Sequence, residues 1–458
     1  MKNLRLLVLL PVMAFGFQTV GASVNDLVLP EKFFPDLDSI LTKAVQQSPR
    51  MLNRALDLEI AENNRIAARA GMLPNLSAGF SYYKSDDRTS YVYPTGPSSA
   101  STYRVTKTPY NVNLTQPLFH WNERRNSAQI GEISEKIAQG QYREGYRLLA
   151  QELRTAYLQL IVQKTALKRT RFYLQLSNNT LKLQEERWAK KVISDADIAF
   201  ARLTAERAQI ALDQAEFDFQ NAKASLARLS GTSVLSDEAI PDQIPTVAHQ
   251  AGVFDELLAG FLAQKDLPST EANTLRRQIE VEKLNHANAK TRLYPKVNAV
   301  LGATQDQQNN LYGTIDSYAL KSVFAGVSVS WTLFDGFASG AAVRSTLARR
   351  RQLENDYRAL TERLGQEAQT QVKYVGFSAR NMSISDRQLV NSEGALKSVE
   401  EDFRRQTKAE ADVSQARLAL YDAQLGAASA RLDYLLKTGG FLGTIMEDPV
   451  LANVTTSK

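Results

Sequence analysis

Two stretches of the chain, Gly71 to Ser230 and Thr291 to Leu436, repeat the same order of residue types. Met72-Leu73-Pro74-Asn75-Leu76-Ser77-Ala78 corresponds to Leu293-Tyr294-Pro295-Lys296-Val297-Asn298-Ala299 at an offset of 221 residues. Downstream the offset is 215 and stays there: Val112 with Val327, Leu118-Phe119 with Leu333-Phe334, Trp188 with Phe403, and Asp197-Ile198 with Asp412-Val413. The length difference falls between Ala78 and Val112, where the first copy carries the turn-rich Asp86 to Lys107. A repeat of this size points to two similar supersecondary units that complete one assembly, rather than to unrelated domains.

The chain of 458 residues contains no cysteine, which excludes a disulfide framework, a cysteine-ligated zinc site and a lipid-modified N-terminal cysteine. Met1-Lys2-Asn3-Leu4-Arg5 is a basic start, Leu6 to Phe17 an apolar run, and Val20-Gly21-Ala22 a small-residue cleavage site. Together these read as a secretory signal peptide over residues 1–22. Nothing after it stays apolar for the roughly 18 residues of a membrane-spanning helix, so any membrane crossing is by strands. The expected division is a first repeat over 23–246, a second over 247–445 and a polar tail over 446–458.

Strands are visible. From Tyr110 to Phe119, Tyr110, Val112, Leu114 and Leu118 alternate with Asn111, Asn113 and Thr115. From Ala325 to Phe334, Ala325, Val327, Val329, Trp331 and Leu333 alternate with Gly326, Ser328, Ser330 and Thr332. Such alternation suits a barrel strand with lipid on one face and water on the other, and equally a half-buried soluble sheet. Leu76 to Tyr83 and Val297 to Thr304 alternate more weakly and pair with them as hairpins. The segments between, Lys84 to Pro109 and Gln305 to Lys321, are rich in Ser, Asp, Asn and Gly and are expected as exposed loops. Tyr82, Tyr83, Tyr91, Tyr93, Tyr110 and Trp331 are candidates for interfacial girdles.

After Asp197 the apolar positions are Ile198, Ala201, Ala205, Ala208, Leu212, Ala215, Phe219, Ala222, Leu226 and Leu229; after Asp412 they are Val413, Ala416, Leu420, Ala423, Ala427, Ala430 and Tyr434. This three-four spacing predicts supercoiled helices, and the many alanines allow close approach. Upstream, about Asn122 to Lys190 and about Ala338 to Gln406 contain no proline and predict helices of roughly 100 Å. Each copy is thus a strand hairpin followed by a hairpin of very long helices. Four strands cannot close a barrel, since the smallest membrane barrels use about eight. Three copies would supply roughly twelve, a closed homotrimer. The fold class is an α+β membrane protein with an internal two-fold repeat.

Ala44 to Pro49 before a long helix, Leu73-Pro74, Tyr294-Pro295, Gln116-Pro117-Leu118-Phe119, Trp331-Thr332-Leu333-Phe334-Asp335-Gly336, and the helix starts at Asp197-Ile198 and Asp412-Val413 together resemble the TolC-type outer-membrane channels. The resemblance implies a trimeric 12-stranded β-barrel in the outer membrane, continuous with a long α-helical barrel that extends into the periplasm. It implies as partners a periplasmic adaptor protein and an inner-membrane pump or ABC transporter, in drug efflux or type I secretion. By the same resemblance, Asp412 matches a pore-narrowing aspartate, Lys408 a basic residue and Asp197 its acidic partner in links that close the periplasmic gate. Arg187, Lys190, Lys191, Phe403, Arg404 and Arg405 occupy the helical tips where the adaptor docks. The family usually places a glycine in each tip turn, where Lys191 and Gln406 stand here. Asp197 and Asp412 also read as ordinary acids at helix starts, favoured by the helix dipole.

Chemistry is poorly served. His120, His249 and His286 are too scattered for a metal-ligand pair, and there is no glycine-rich phosphate loop or nucleophile elbow, so no enzyme activity, metal or cofactor is expected. A formal net charge of +6 raises nucleic acid as a partner. Arg349-Arg350-Arg351 and Arg404-Arg405 lie in acid-bearing helices, however, and the signal peptide removes the chain from the cytoplasm. The alternative to a channel is a secreted coiled-coil scaffold or adhesin.

Overall fold

The structure, a computed structural model, describes residues 27–91, 94–97, 99–312 and 315–455. The signal segment 1–22 and Tyr93 lie outside the described residues. Three helices come first, α1 (Pro30–Phe33), α2 (Pro35–Gln47) and α3 (Pro49–Ala70), each beginning at a proline whose fixed φ suits a first helical turn and whose missing N–H is no loss there. Strands β1 (Asn75–Phe80), β2 (Tyr83–Tyr91), β3 (Ser99–Lys107) and β4 (Tyr110–Phe119) follow, then helices α4 (Glu123–Ala189), α5 (Asp195–Ser230), α6 (Ala251–Leu262) and α7 (Thr270–Lys290). The second repeat continues with β5 (Lys296–Tyr312), β6 (Ile315–Ser330), α8 (Ala338–Arg404) and α9 (Glu410–Thr444), and the chain closes with a 3-10 turn at Pro449–Leu451 and α10 (Ala452–Thr455).

The repeat is written into the backbone. Helices α4 and α8 each contain 67 residues. Among the described residues, those with left-handed backbone are Trp121, Asn122, Lys191 and Gly231, together with Gly336, Phe337, Gln406 and Met446. They form pairs separated by the 215-residue offset, at the strand-to-helix junctions, the tip turns and the ends of the returning helices. The heptad seams are the covered faces: Ile198, Ala205, Ala208, Phe219 and Leu226 on α5, and Ala423, Ala427, Ala430 and Tyr434 on α9, are buried.

The sheet is antiparallel and four strands wide. β4 pairs with β1 on one side and β5 on the other, with Val112 opposite Ala78 and Ala303, and β5 pairs with β6, with Ala303 opposite Val323. β2 and β3 prolong β1 and β4 beyond two kinks, which are tied by the Ser81 N–H to the Pro109 carbonyl (3.0 Å) and the Thr108 N–H to the Gln307 carbonyl (2.8 Å). Four strands per chain is therefore correct, with two of them bent. The expected loops are a correction: most of Lys84 to Pro109 and Gln305 to Lys321 is strand. With polar residues on both faces these stretches have no hydrophobic period. They are held by ladder hydrogen bonds, with ion pairs from Asp86 to Arg104 (2.9 Å) and Asp87 to Lys107 (2.6 Å).

The apolar face of the sheet is bare, with Phe80 70 % and Val323 81 % exposed. Its two outer edges, β1 with β2 and β6, have no strand partner among the described residues. The main core lies elsewhere, where Leu37 and Leu41 of α2, Leu149, Leu153 and Tyr157 of α4, Phe254 of α6 and Phe441 of α9 pack together. Within residues 446–458, Asp448 and Val450 are buried.

Candidate functional site

The helical tips carry the residues singled out by the sequence. Both hairpins turn through the same device. The Lys191 N–H donates to the Trp188 carbonyl (2.8 Å) and the Val192 N–H to that of Arg187 (2.9 Å). In the second copy the Gln406 N–H donates to Phe403 (2.9 Å) and the Thr407 N–H to Asp402 (3.0 Å). This is the paired closure that normally recruits glycine just past a helix end. Lys191 (φ 56°) and Gln406 (φ 61°) take that position in left-handed backbone, at a cost on the order of 1 kcal/mol each.

The returning helices begin differently. In the first, Ser194 Oγ accepts from the Asp197 N–H (3.2 Å), while Asp197 Oδ2 accepts from the Ser194 N–H (3.1 Å) and hydroxyl (2.7 Å). In the second, Asp412 Oδ2 accepts from the Ala409 N–H (3.0 Å), and alanine has no oxygen to return the bond. Bonds from the Ser194 hydroxyl and then its backbone N–H hold the Asp197 carboxyl below its ordinary pKa. Both aspartates are exposed, as is Lys408, and among the described residues no ion pair joins Lys408 to either.

Around these turns, Arg187, Lys190, Lys191, Arg404 and Arg405 are exposed, with Phe403 44 % exposed. Trp188 is fixed by its indole N–H on Asp195 (2.7 Å) and by Arg202 over its ring at 5.8 Å. The tips thus expose basic side chains and the aromatic rings of Trp188 and Phe403 among the acids Glu185, Glu186, Asp195 and Asp197 of the first hairpin and Glu400, Glu401, Asp402, Glu410 and Asp412 of the second. Away from them, His120 Nε2 lies 2.8 Å from Asn298 Oδ1 at the strand-to-helix junction, and Trp121 donates to the Pro295 carbonyl (2.8 Å), a structural setting for both. Among the described residues no group of side chains is arranged to hold a metal ion, and no helix is long and apolar enough to cross a membrane.

Sequence reading missed Arg154. Its side chain is 2 % exposed and is gripped by both carboxylate oxygens of Asp448, at 2.6 and 2.9 Å, and by Glu31. Burial alone would lower the guanidinium pKa. The hydrogen bonds and charge of Asp448, with those of Glu31, outweigh it and keep the group firmly charged. One side chain of α4 thereby binds segments from both ends of the chain.

The family comparison follows the repeat. The profile of outer membrane efflux proteins matches residues 40–232 and 275–437, one stretch in each repeat. This chain belongs to the outer membrane efflux protein family. No curated protein matches the sequence. Among solved structures it is similar to the outer membrane protein VceC of Vibrio cholerae, with 17 % identity over 91 % of this chain and 97 % of that one (TM-score 0.63). It is also similar to the CmeC outer membrane channel of Campylobacter jejuni (11 % identity, 93 % and 90 % covered, TM-score 0.68). The MtrE outer membrane channel of Neisseria gonorrhoeae, solved in its open state, is a third (16 % identity, 90 % and 89 % covered, TM-score 0.60). Identities this low establish the fold. Family membership makes this efflux protein an outer-membrane channel component and not an enzyme, and the soluble-scaffold alternative gives way to it.

Proposed function

We propose that three copies of this efflux protein close a 12-stranded barrel in the outer membrane and extend as one helical duct across the periplasm. The duct would be the passive exit of a tripartite efflux pump or a type I secretion system. The observation that carries this reading is the sheet: its apolar face is exposed, and among the described residues both of its edges lack partners. In lipid an open edge leaves backbone groups unsatisfied, so closure by further copies is required. Light scattering on detergent-purified protein should count three copies per particle, and a stable monomer that conducts ions would sink the idea.

The exposed tip side chains Arg187, Lys190, Lys191, Phe403, Arg404 and Arg405 would supply the docking surface for an adaptor, and the inner-membrane pump or transporter would stand beyond it. Three-fold symmetry would gather three copies of Asp412 about the axis, where like charges focus a potential that attracts cations. The capping bond uses only Oδ2 of Asp412 and leaves Oδ1 free to face a pore. Lys408 and the Asp197 of a companion hairpin would link the closed tips by exposed ion pairs, each about 0.2 to 1 kcal/mol. In planar bilayers Asp412→Ala should lower cation selectivity, and Lys408→Ala should raise resting conductance with the trimer intact. Unchanged selectivity would leave Asp412 as a helix cap alone.

A further inference from the structure

The alternation that marks β6 fails at one place. Val323, Ala325, Val327 and Val329 belong to the bare apolar face, and the residues between them are Gly326, Ser328 and, out of pattern, Phe324. The register sets Phe324 on the polar face of the sheet, opposite Gly302, which is in turn opposite Asn113. The row on one side is Ser322, Thr304 and Asn111; the row on the other is Gly326, Val300 and Thr115. The ring lies down on this face. A Cβ at Gly302 would run into Cζ of Phe324 and into Oδ1 of Asn113, so the glycine is the floor under the ring and the asparagine stands at its far end. Gly302 is buried beneath them, while Phe324 keeps 40 % of its own surface exposed. One row along, a Cβ at Gly326 would meet nothing within 4 Å. The pinned ring and the gap beside it form a shallow slot.

We propose that this slot is a binding site for planar aromatic solutes on the wall of the channel, with Phe324 as the residue they stack on. The inference rests on the barrel reading, which turns the polar face inward, and adds where a solute in transit touches the wall. The chemistry of the slot selects the ligand. A phenyl ring held in one orientation presents its free face to another ring with little further loss of side-chain freedom, and ring pairs attract beyond the area they share. The missing side chain at Gly326 leaves room for the part of a flat molecule that overhangs the ring. On this face the rows from Asn298 with Ser328 to Thr304 with Ser322 hold no charged residue. The contact therefore selects on flatness and apolar surface and accepts either sign of charge. Symmetry would set three such slots at one level of the barrel. A single ring in each is a weak hold, which suits conduction, since a solute must leave as readily as it enters.

Single-channel currents in planar bilayers test the slot, with probes added on the barrel side. Proflavine, a planar aromatic cation, and naphthalenesulfonate, a planar aromatic anion, should each interrupt the current in resolvable blocks at the voltage that draws them in. Tetraethylammonium, which has no ring, should not. Phe324→Ser should shorten the blocks of both aromatic probes by about 2- to 10-fold, and Phe324→Trp should keep or lengthen them. Gly326→Leu leaves the ring in place and fills the gap, and should also shorten them. Potassium conductance in each variant reports an intact barrel. Wild-type blocks no longer than those of tetraethylammonium would overturn the slot and leave the barrel standing, as would blocks unchanged in Phe324→Ser and Gly326→Leu with conductance retained. Single copies by light scattering in detergent would overturn the barrel and the slot with it.

Discussion

In the first helical hairpin Arg171 of α4 reaches Glu216 of α5 at 2.9 Å; in the second, the same two positions hold Asp386 and Arg431, 2.8 Å apart, with the charges exchanged. Nearer the tips, Glu185 with Arg202 recurs unchanged as Glu400 with Arg417. The repeat therefore preserves where two helices touch, and leaves open which helix carries which charge. Backbone devices are kept more strictly than side chains: the left-handed turns coincide pair by pair, although a glycine in one copy faces Trp121 or Met446 in the other. Where the copies diverge, the divergence follows burial. The first hairpin packs into the core with both chain ends, while the corresponding face of the second is open.

The sharpest test of that divergence is Arg154 against its counterpart Gln369, one buried and held by four hydrogen bonds to two carboxylates, the other exposed. Asp448→Ala leaves the buried guanidinium with Glu31 alone and should cost about 3 to 5 kcal/mol, read as earlier thermal unfolding of the detergent-solubilised protein. Gln369→Ala should stay within about 0.5 kcal/mol. Similar losses at both sites would mean that the repeats share the core equally.

Next in size is the end of each returning helix. A side chain at Gly231 would collide with the Gln47 carbonyl, close to where the Ser48 hydroxyl bonds the Leu229 carbonyl (2.8 Å), and would sit in left-handed backbone. Gly231→Ala should therefore cost about 2 kcal/mol or more. At Met446 the same backbone already bears a side chain, and Met446→Gly should gain roughly 0.5 to 1 kcal/mol if the thioether makes little contact. A neutral Gly231→Ala, measured by denaturant or heat, would show that this junction yields.

The smallest effects lie at the tips. Ser194→Ala should destabilise the first turn of α5 by about 1 kcal/mol, and Ala409→Ser should strengthen that of α9 by a similar amount, both visible in amide exchange near the turns. The pH dependence has a definite sign: a depressed carboxyl pKa means that the Asp197 cap contributes above the ordinary value and is lost as pH falls through its folded pKa. In Ser194→Ala that acid-side loss should shift to higher pH. Exchange at α5 that is unmoved by the substitution would show that tertiary packing, and not the cap, fixes the helix start.

The repeat, the long hairpins and the tip turns were legible because each has a period or a punctuating residue: alternation from Ala325, which the strand follows as far as Ser330 and not on to Phe334, the alanine heptads, and acids at Asp197 and Asp412. The outer halves of the strands were not legible. Between Lys84 and Lys107 the polar residues face polar surroundings on both sides, so nothing in the order of Ser, Asp, Arg and Thr separates strand from loop. Lys191 and Gln406 were placed near the expected glycine, and the structure puts them at the left-handed position itself. Arg154 gave no signal, because an arginine after Leu153 in a helix reads as a solvated side chain and its main partner stands 294 residues away.

That distance also sets an order of events. Glu31 and Arg154 lie within the first 154 residues and Asp448 in the last stretch, so the second carboxylate on the buried guanidinium arrives only when nearly all of the polypeptide is present. Contacts that span so much sequence form late, because the loop they close is ordered only when other packing has gathered it. A chain cut short after Met446 would carry its long helices and strands and still lack the carboxylate that lets α4 settle among both ends. The Arg154 network thus ties the last stretch of the chain into the core around α4.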